Sequence, residues 1–343
     1  MKKIIGDSPR FGSNRNPLVF PSVLLLVFFS GAATKLVAQN QDAPPVKPDS
    51  TTPATDALND NIVMPPPVLQ APKSTKNEIS ASGDFLLGQG TVTLPLGYSL
   101  KQSLGGIGGF PASAFSVPRN STYFGGTVAY SYGQAWYFDL SYAQGQSSGS
   151  QSIDTGFLGQ LHSNFQIQDE IYQAYIRYTF PKLRGKRLSA YVRAGVSYVT
   201  TDLKDDATSP AIGRYTQRDT TTDILGNLGF GVAYSLYKSG AWRFGLQAEG
   251  EGFYGTRTQT SLETLSADTG LNFVSANINN SLYGGIFQAT FRAEYSIGHS
   301  GLFKVFGDFG AQIKYTLIEY PGAGSSTETL WGPYVRLGLR YNF

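Results

Sequence analysis

The chain ends on the stretch Leu330 to Phe343, which reads L-W-G-P-Y-V-R-L-G-L-R-Y-N-F. From Val335 onward the side chains separate into two faces with a period of two, which predicts a β-strand. One face carries only apolar and aromatic groups, at positions 335, 337, 339, 341 and 343. The other face carries Arg336 and Arg340. A strand divided in this way fits a wall between an apolar phase and water.

The same stretch carries a motif. Arg336, Gly338, Tyr341 and Phe343 give the order polar, glycine, aromatic, phenylalanine, and this ending is similar to the C-terminal signal of bacterial outer-membrane β-barrels of the Gram-negative type. The resemblance implies insertion into the outer membrane, with outer-membrane lipid and the barrel-assembly machinery as partners. It covers residues 79–343 as a strand pattern and identifies a class of protein without a subfamily.

The composition agrees with a large all-β domain. The 343 residues include 40 Gly, 21 Tyr and 22 Phe, and only 15% are charged, which favours many strands joined by turns over a helical enzyme. The chain has no Cys. This excludes disulfides, thiol catalysis and thiolate metal sites, and we expect no cofactor.

Residues 1–38 are predicted to be a cleaved signal peptide, with a basic start, an apolar core at 18–29 and a small residue, Ala38, before the cleavage site. An uncleaved anchor helix is the alternative, but the apolar run is interrupted by Pro21 and is shorter than the ~20 residues that a spanning helix needs. Residues 39–78 contain eight prolines and are predicted to form a disordered linker.

Removal of the signal changes the charge balance. Of 27 basic and 24 acidic residues, the signal contains five and one, so 22 remain against 23. A nearly neutral mature chain indicates no nucleic-acid partner.

From residue 79 onward, alternating segments predict an antiparallel up-and-down transmembrane β-barrel of about ten strands, with eight or twelve as alternatives. A soluble barrel or sandwich is the competing interpretation. The ten predicted strands are 83–98, 121–132, 135–148, 165–180, 188–202, 220–237, 241–257, 281–297, 302–317 and 330–343. Their length exceeds the 3–10 residues usual in globular proteins, which favours the membrane barrel.

The predicted connections alternate between long and short. The long ones include 99–120, 203–219 and 318–329, and the short ones include 133–134 and 238–240. An outer-membrane barrel has short periplasmic turns and longer extracellular loops. We therefore expect both chain termini in the periplasm.

If the apolar faces meet lipid, the opposite faces line a lumen. The predicted lumen-lining polar network is Arg177, Arg193, Arg243, Glu249, Glu251, Arg292, Glu294, Asp308, Arg336 and Arg340. Because both signs of charge occur in similar number, cross-strand ion pairs are expected. The turn at 298–301 predicts Arg292 opposite Asp308, and the next hairpin predicts Asp308 opposite Arg340. Gln288, Gln312 and Arg336 are predicted to form the row beyond these three residues.

The function expected from this pattern is a non-enzymatic outer-membrane barrel, either structural or a narrow diffusion channel, whose small polar solute or surface ligand is left open. The alternative is a surface enzyme at the extracellular rim, either a protease resembling the omptin family or a lipase. Its candidate residues are His162 with the pair Asp205-Asp206, since His299 is predicted at the opposite rim. No Asp-x-His or Asp-x-Asp motif supports that alternative.

Overall fold

A computed structural model describes the following residues: 77–97, 113–133, 135–154, 159–180, 187–210, 213–265, 276–298 and 301–343. The predicted signal peptide and nearly all of the predicted linker lie outside these residues, as does His299.

The described residues form ten antiparallel strands in one closed barrel, in which each strand pairs with the next and β1 pairs with β10. The strands are β1 (Glu78–Leu96), β2 (Ser113–Tyr132), β3 (Trp136–Asp154), β4 (Gln160–Thr179), β5 (Leu188–Ser209), β6 (Gly213–Ser239), β7 (Trp242–Leu265), β8 (Ala276–Ile297), β9 (Phe303–Tyr320) and β10 (Gly324–Asn342). The prediction of a ten-stranded up-and-down barrel is confirmed. The described residues contain no helix that is long and apolar enough to cross a membrane.

We call the end of the barrel that holds Glu78 and Asn342 the terminal end, and the opposite end the distal end. Two tight turns at the terminal end, after β2 and after β6, use Gly133 and Gly240 in the left-handed region, with φ of 59° and 53°. Glycine adopts this conformation without a steric cost. Both turns lie where the sequence predicts short connections.

The predicted alternation of long and short connections is wrong. Most of the predicted loop 203–219 is strand, because β5 continues to Ser209 and β6 begins at Gly213. Most of the predicted loop 318–329 is strand as well, since only three residues separate Tyr320 from Gly324. The strands extend further at the distal end than predicted. These extensions resemble loops in the sequence, because their ends are polar and rich in Thr.

Around the terminal half of the barrel, the outward face is apolar and exposed. This belt includes Leu140, Val196, Ile224, Leu228, Phe287, Ile313 and Leu339. Aromatic rings pair across strands within it. The ring centroids of Trp136 and Tyr178 are 4.8 Å apart near the terminal end, and those of Tyr142 and Tyr172 are 5.0 Å apart further along the same two strands. An apolar band with aromatic residues at its borders is the exterior of a transmembrane barrel.

Beyond this belt, in the distal half, the two faces exchange character. Outward positions there are polar, among them Gln146, Ser148, Gln166, Gln168, Lys204, Asp206, Arg218, Thr220, Thr258 and Asn279. Many inward positions are apolar and buried, and they form clusters that include Ile153, Leu161, Phe165, Ile167, Leu203, Ile278, Leu282 and Ile318. The distal half therefore has a hydrophobic core, as a soluble β-barrel has.

A hairpin closes that core. Past Thr91, β1 no longer pairs with β10, and past Asn120 towards its start, β2 no longer pairs with β3. The two strand ends, 92–96 and 113–119, remain paired with each other. We call them the inserted hairpin. Leu94 is fully buried and Leu96 is 1% exposed, because the hairpin lies inside the barrel and not in its wall.

The inserted hairpin contacts strands on opposite sides of the barrel. Leu94 packs in one cluster with Phe165 of β4 and Leu203 of β5. Side chains of the wall bind two of its backbone polar groups: Gln217 Nε2 donates to the Pro95 carbonyl at 2.7 Å, and the amide of Thr93 donates to Glu328 Oε1 at 3.3 Å. Burial of backbone away from a sheet partner requires such bonds.

The exchange of polar and apolar faces along β6 leads to a testable prediction. On the outward face of β6, Leu228 is 68% exposed within the apolar belt, whereas Thr220 lies eight residues away among polar groups. We expect Leu228→Arg to destabilise the folded barrel by ~2–4 kcal/mol, the cost of an arginine near the bilayer centre. Thr220→Arg should cost less than ~1 kcal/mol.

The measurement is denaturant unfolding of both variants after reconstitution in lipid vesicles. Equal destabilisation of the two variants would contradict the position of the belt.

Candidate functional site: the polar lumen

The inward face of the terminal half carries the charged residues that the sequence assigns to the lumen. Arg292 and Asp308 lie directly opposite each other, and the guanidinium donates from Nε and Nη2 to the two carboxylate oxygens at 2.6 and 2.7 Å. The predicted register of β8 and β9 is confirmed, and so is the pairing of Gln288 with Gln312.

The predicted register of β9 and β10 is wrong by four residues. Asp308 lies opposite Arg336, and Arg340 lies opposite Lys304. The reason is the connection between the strands, which is a three-residue turn and not the predicted long loop. In consequence Gly332, and not Arg336, lies opposite Gln312.

Arg336 and Arg340 consequently bind other carboxylates. Arg336 Nε donates to Asp84 Oδ1 of β1 at 2.5 Å. Arg340 bridges two strands, with Nη1 at 2.8 Å from Glu294 Oε2 and Nε at 2.8 Å from Glu78 Oε1. Both arginines thus connect β10 to β1, so the closing seam contains two ion pairs, and Arg340 also connects β10 to β8.

A second group of charges surrounds Arg193 of β5. Its guanidinium contacts Glu249 and lies 3.2 Å from Glu251, and its centre lies 3.6 Å from the ring centroid of Tyr175. Tyr175 OH donates to Glu251 Oε1 at 2.9 Å, and Tyr191 OH donates to Glu249. Long side chains from three strands therefore fill the lumen at this level.

The remaining two predicted residues are less closely paired. Arg243 Nη1 lies 3.9 Å from Glu294 Oε1, and about half of the Arg243 side chain is exposed. Arg177 lies over the rings of Tyr137 and Tyr191, with its guanidinium carbon 3.8 and 4.9 Å from the two centroids. Among the described residues, no carboxylate contacts Arg177.

A further charge cluster, absent from the predicted lumen-lining network, lies where the two halves meet. Arg257 donates from Nε and Nη2 to Asp223 at 2.8 and 2.9 Å, and its Nη1 lies 3.4 Å from Glu328. Nearby, Tyr123 OH donates to Asp169 Oδ2 at 2.6 Å. Glu328 lies in a predicted loop. The period-two alternation of β7 could have identified Arg257, because it places Arg257 on the same inward face as Glu249 and Glu251.

The open space in the lumen is divided. A cavity of ≈ 200 Å³ lies in the middle of the barrel, with Gln173, Asn227, Gln312 and Lys314 among its lining residues. A larger cavity of ≈ 1020 Å³ lies at the terminal end, and we call it the vestibule. A cavity of ≈ 60 Å³ lies inside the distal half around Asp219, Arg257 and Glu328. Two larger spaces, of ≈ 800 and ≈ 820 Å³, lie along the distal wall, where Asn120, Ser148 and Gln166 line both.

Asp219 and Asp205 are among the carboxyl groups buried in the distal half. Asp219 accepts hydrogen bonds from the side-chain amides of Gln217 and Gln259 at 2.6 and 3.0 Å, and burial raises its pKa to about 7. Burial also raises the pKa of Asp205 to about 6, although Ser163 Oγ donates to it at 2.7 Å. These groups would be protonated in the folded chain at mildly acidic pH.

The candidate catalytic residues do not converge. His162 lies on the outward face of β4, where its Nδ1 and Ser152 Oγ are 2.6 Å apart. Asp205 points inward, while Asp206 points outward and pairs with Arg214. The sheet separates His162 from Asp205. No group of three or more metal-ligating side chains occurs in the part of the chain that the structure describes.

The terminal motif lies at the seam. Phe343 and Asn77 exchange two backbone hydrogen bonds, at 3.0 and 3.1 Å, and the ring centroids of Tyr341 and Phe343 are 5.9 Å apart on the outer surface. At Gly338, an added Cβ would lie 2.5 Å from the Phe306 ring and 2.6 Å from the Ala81 carbonyl. The glycine of the motif therefore has a packing reason of its own.

No model of a protein family and no curated protein matches this sequence. Solved structures of outer-membrane barrels are similar. The outer membrane protease OmpT from Escherichia coli is 10% identical, with 78% of this chain and 97% of that chain covered and a TM-score of 0.48. The translocator domain of the autotransporter NalP from Neisseria meningitidis is 14% identical, with 93% and 96% covered and a TM-score of 0.36.

The outer membrane protein OprG from Pseudomonas aeruginosa is 11% identical, with 78% of this chain and 95% of that chain covered and a TM-score of 0.24. No residue role is carried over at these values. The closed barrel and its apolar exterior, both seen directly in this chain, establish the transmembrane barrel fold.

The buried carboxyl group of Asp219 predicts a pH dependence of stability. Its pKa is higher in the folded chain than the ordinary 3.8, so the folded chain holds a proton that the unfolded chain has lost. Stability should therefore fall as pH rises from about 4 to about 7, by a few kcal/mol in order of magnitude, and level off above that range. Asp219→Asn should flatten this fall.

The measurement is the temperature at which the folded band on a detergent gel is lost, taken from pH 4 to pH 8. Asp206→Asn is the matched control, because Asp206 is exposed and its ion pair with Arg214 lowers its pKa. The same slope in wild type and Asp219→Asn would contradict the assignment.

Proposed function

We propose that the protein is a non-enzymatic barrel of the bacterial outer membrane with a closed lumen, and that its role is structural and not that of an open diffusion channel. The single observation that carries this proposal is the inserted hairpin. Its residues Val92, Leu94 and Leu96 occupy the distal half of the lumen together with apolar side chains from β3 to β6. A pore would have to pass through this core.

The terminal half supports the same proposal. Ten strands give a barrel only slightly wider than the eight-stranded barrels that their own side chains fill. Here Arg193, Tyr175 and Glu251 meet across the lumen, and the cavity beyond them is ≈ 200 Å³. The narrow-channel alternative would require these contacts to open as well as the hairpin to leave.

We propose that the chain termini lie in the periplasm and that the distal half stands outside the cell. The predicted signal peptide and the terminal motif at Arg336, Gly338, Tyr341 and Phe343 support this orientation, since the barrel-assembly machinery acts from the periplasm on endings of this kind. The polar exterior of the distal half favours its projection into water in either orientation.

The surface-enzyme alternative has little support. His162 contacts the hydroxyl of Ser152, and among the described residues it contacts no carboxylate. The buried Asp219 lies in the core of the distal half, where a polymeric substrate would not reach it. A hydrolase would need a base, a nucleophile and an orienting group on one accessible surface.

The proposal predicts no conductance. Purified protein in planar bilayers should give no resolvable current steps, because the side chains around Arg193 and the inserted hairpin block the lumen between the vestibule and the distal end. Regular steps in the wild-type protein would contradict a closed lumen.

A thiol probe checks the same point without a bilayer recording. The chain has no Cys, so one introduced residue is the sole thiol. Ser197→Cys, at a buried position in the middle of the lumen, should react with a charged thiol reagent far more slowly than Gln168→Cys on the exposed outer face. Equal rates at the two positions would show that the lumen is open to solutes.

A further inference from the structure

The vestibule at the terminal end is lined by an unusual set of cations. Arg177, Arg243, Arg292, Lys304 and Arg340 all border this one space of ≈ 1020 Å³. They come from five different strands, so they surround the opening on several sides. Their convergence is a property of the closed barrel and is visible in no single strand.

Carboxylates neutralise part of this charge. Asp308 pairs with Arg292, and Glu78 pairs with Arg340. Glu294 is shared, since it lies 2.8 Å from Arg340, 3.2 Å from Lys304 and 3.9 Å from Arg243. One carboxylate thus serves three cations, and Arg243 is the most distant of them.

Arg177 lacks such a partner. In the described part of the chain it contacts no carboxylate, and its Nε is buried and makes no hydrogen bond. Asp139 of β3 interacts with Arg177 electrostatically but forms no salt bridge with it, and Glu249 and Glu251 are bound by Arg193. The Arg177 side chain as a whole is only half-buried, but a buried Nε donor without a partner is costly unless a ligand or water satisfies it.

The orientation of Arg177 is fixed before any ligand arrives. Its guanidinium lies between the rings of Tyr137 and Tyr191, at 3.8 and 4.9 Å from their centroids. Tyr191 is itself held, because its hydroxyl accepts from Gln247 Nε2 at 2.8 Å and donates to Glu249. Stacking of this kind restrains the planar fork that arginine uses to bind oxyanions.

We infer that the vestibule is a binding site for a small dianionic solute, such as a phosphate compound or a dicarboxylate, with Arg177 as its principal contact and Arg243 as a second one. Charge-assisted hydrogen bonds from a fixed guanidinium supply the specific recognition, and the ring of cations attracts the anion to the mouth. The site does not require conduction, because the vestibule opens at the terminal end and is closed on its inner side.

The test is isothermal titration calorimetry of the full-length barrel in a zwitterionic detergent, at constant ionic strength. Inorganic phosphate and succinate are the two probes, and their relative affinities distinguish a phosphate site from a dicarboxylate site. Saturable binding of at least one of them is expected. No saturable binding of either anion at millimolar concentration would overturn the inference.

Two substitutions locate the site. Arg177→Gln should weaken binding by about tenfold or more, the worth of a hydrogen bond to a charged group. Arg218→Gln is the matched control, because it removes the same charge from the exposed outer face of the distal half and should leave the affinity unchanged. Equal losses in the two variants would show nonspecific attraction and contradict the site.

A third variant guards against a folding defect. Arg243→Gln changes a side chain that is about half exposed and should also weaken binding, though less than Arg177→Gln. The heat-dependent shift on a detergent gel confirms that each barrel is folded. Folded Arg177→Gln and Arg243→Gln proteins that both bind as tightly as wild type would overturn the assignment.

Discussion

In lipid, each backbone amide and carbonyl needs a partner within the protein, because no water is present to replace one. The ten strands meet this requirement by closing through β1 and β10, whose pairing runs from Glu78 opposite Asn342 to Thr91 opposite Thr329. The pairing ends close to Trp331, which is outward and exposed near the border of the apolar belt. Past this point the exterior is polar, and the strands are free to separate.

The inserted hairpin uses that freedom. It leaves the wall at two places, after Thr91 in β1 and before Asn120 in β2, and the outward neighbours at both places are polar. Inside the barrel, side chains such as Gln217 and Glu328 take over the hydrogen bonds that strand partners would have made. One rule of backbone satisfaction thus explains both the continuous wall in the membrane half and its opening in the distal half.

Each strand passes from a half that faces lipid to a half that faces water. Where the outward side chains meet lipid, the inward ones are charged and pair across the lumen, as Arg292 does with Asp308. Where the outward side chains meet water, the inward ones form an apolar core, as Phe165 and Leu203 do. Side chains block the lumen at both levels. Ion-paired residues do so in one half, and an apolar cluster stabilised by the hydrophobic effect does so in the other.

The number of strands and the lipid-facing surface could be predicted, because the terminal halves of the strands show strong period-two alternation with an apolar outer face. The register of β8 and β9 followed from a short turn. The register of β9 and β10 did not, since Ser325 to Thr329 form a polar strand end that resembles a loop. The role of Asp84 and the inserted hairpin depend on contacts between distant strands, for which local alternation holds no information.

The inserted position of the hairpin is the central claim, and cross-linking across the distal half tests it most directly. In a chain without native cysteine, Leu96→Cys would be combined either with Ala207→Cys, which shares its buried cluster, or with Thr208→Cys on the outer face of the same strand. A short bifunctional thiol reagent, present during refolding, should join the pair 96 and 207 and leave the pair 96 and 208 unjoined. Cross-linking of 96 with 208 but not with 207 would place the hairpin outside the barrel and contradict the account.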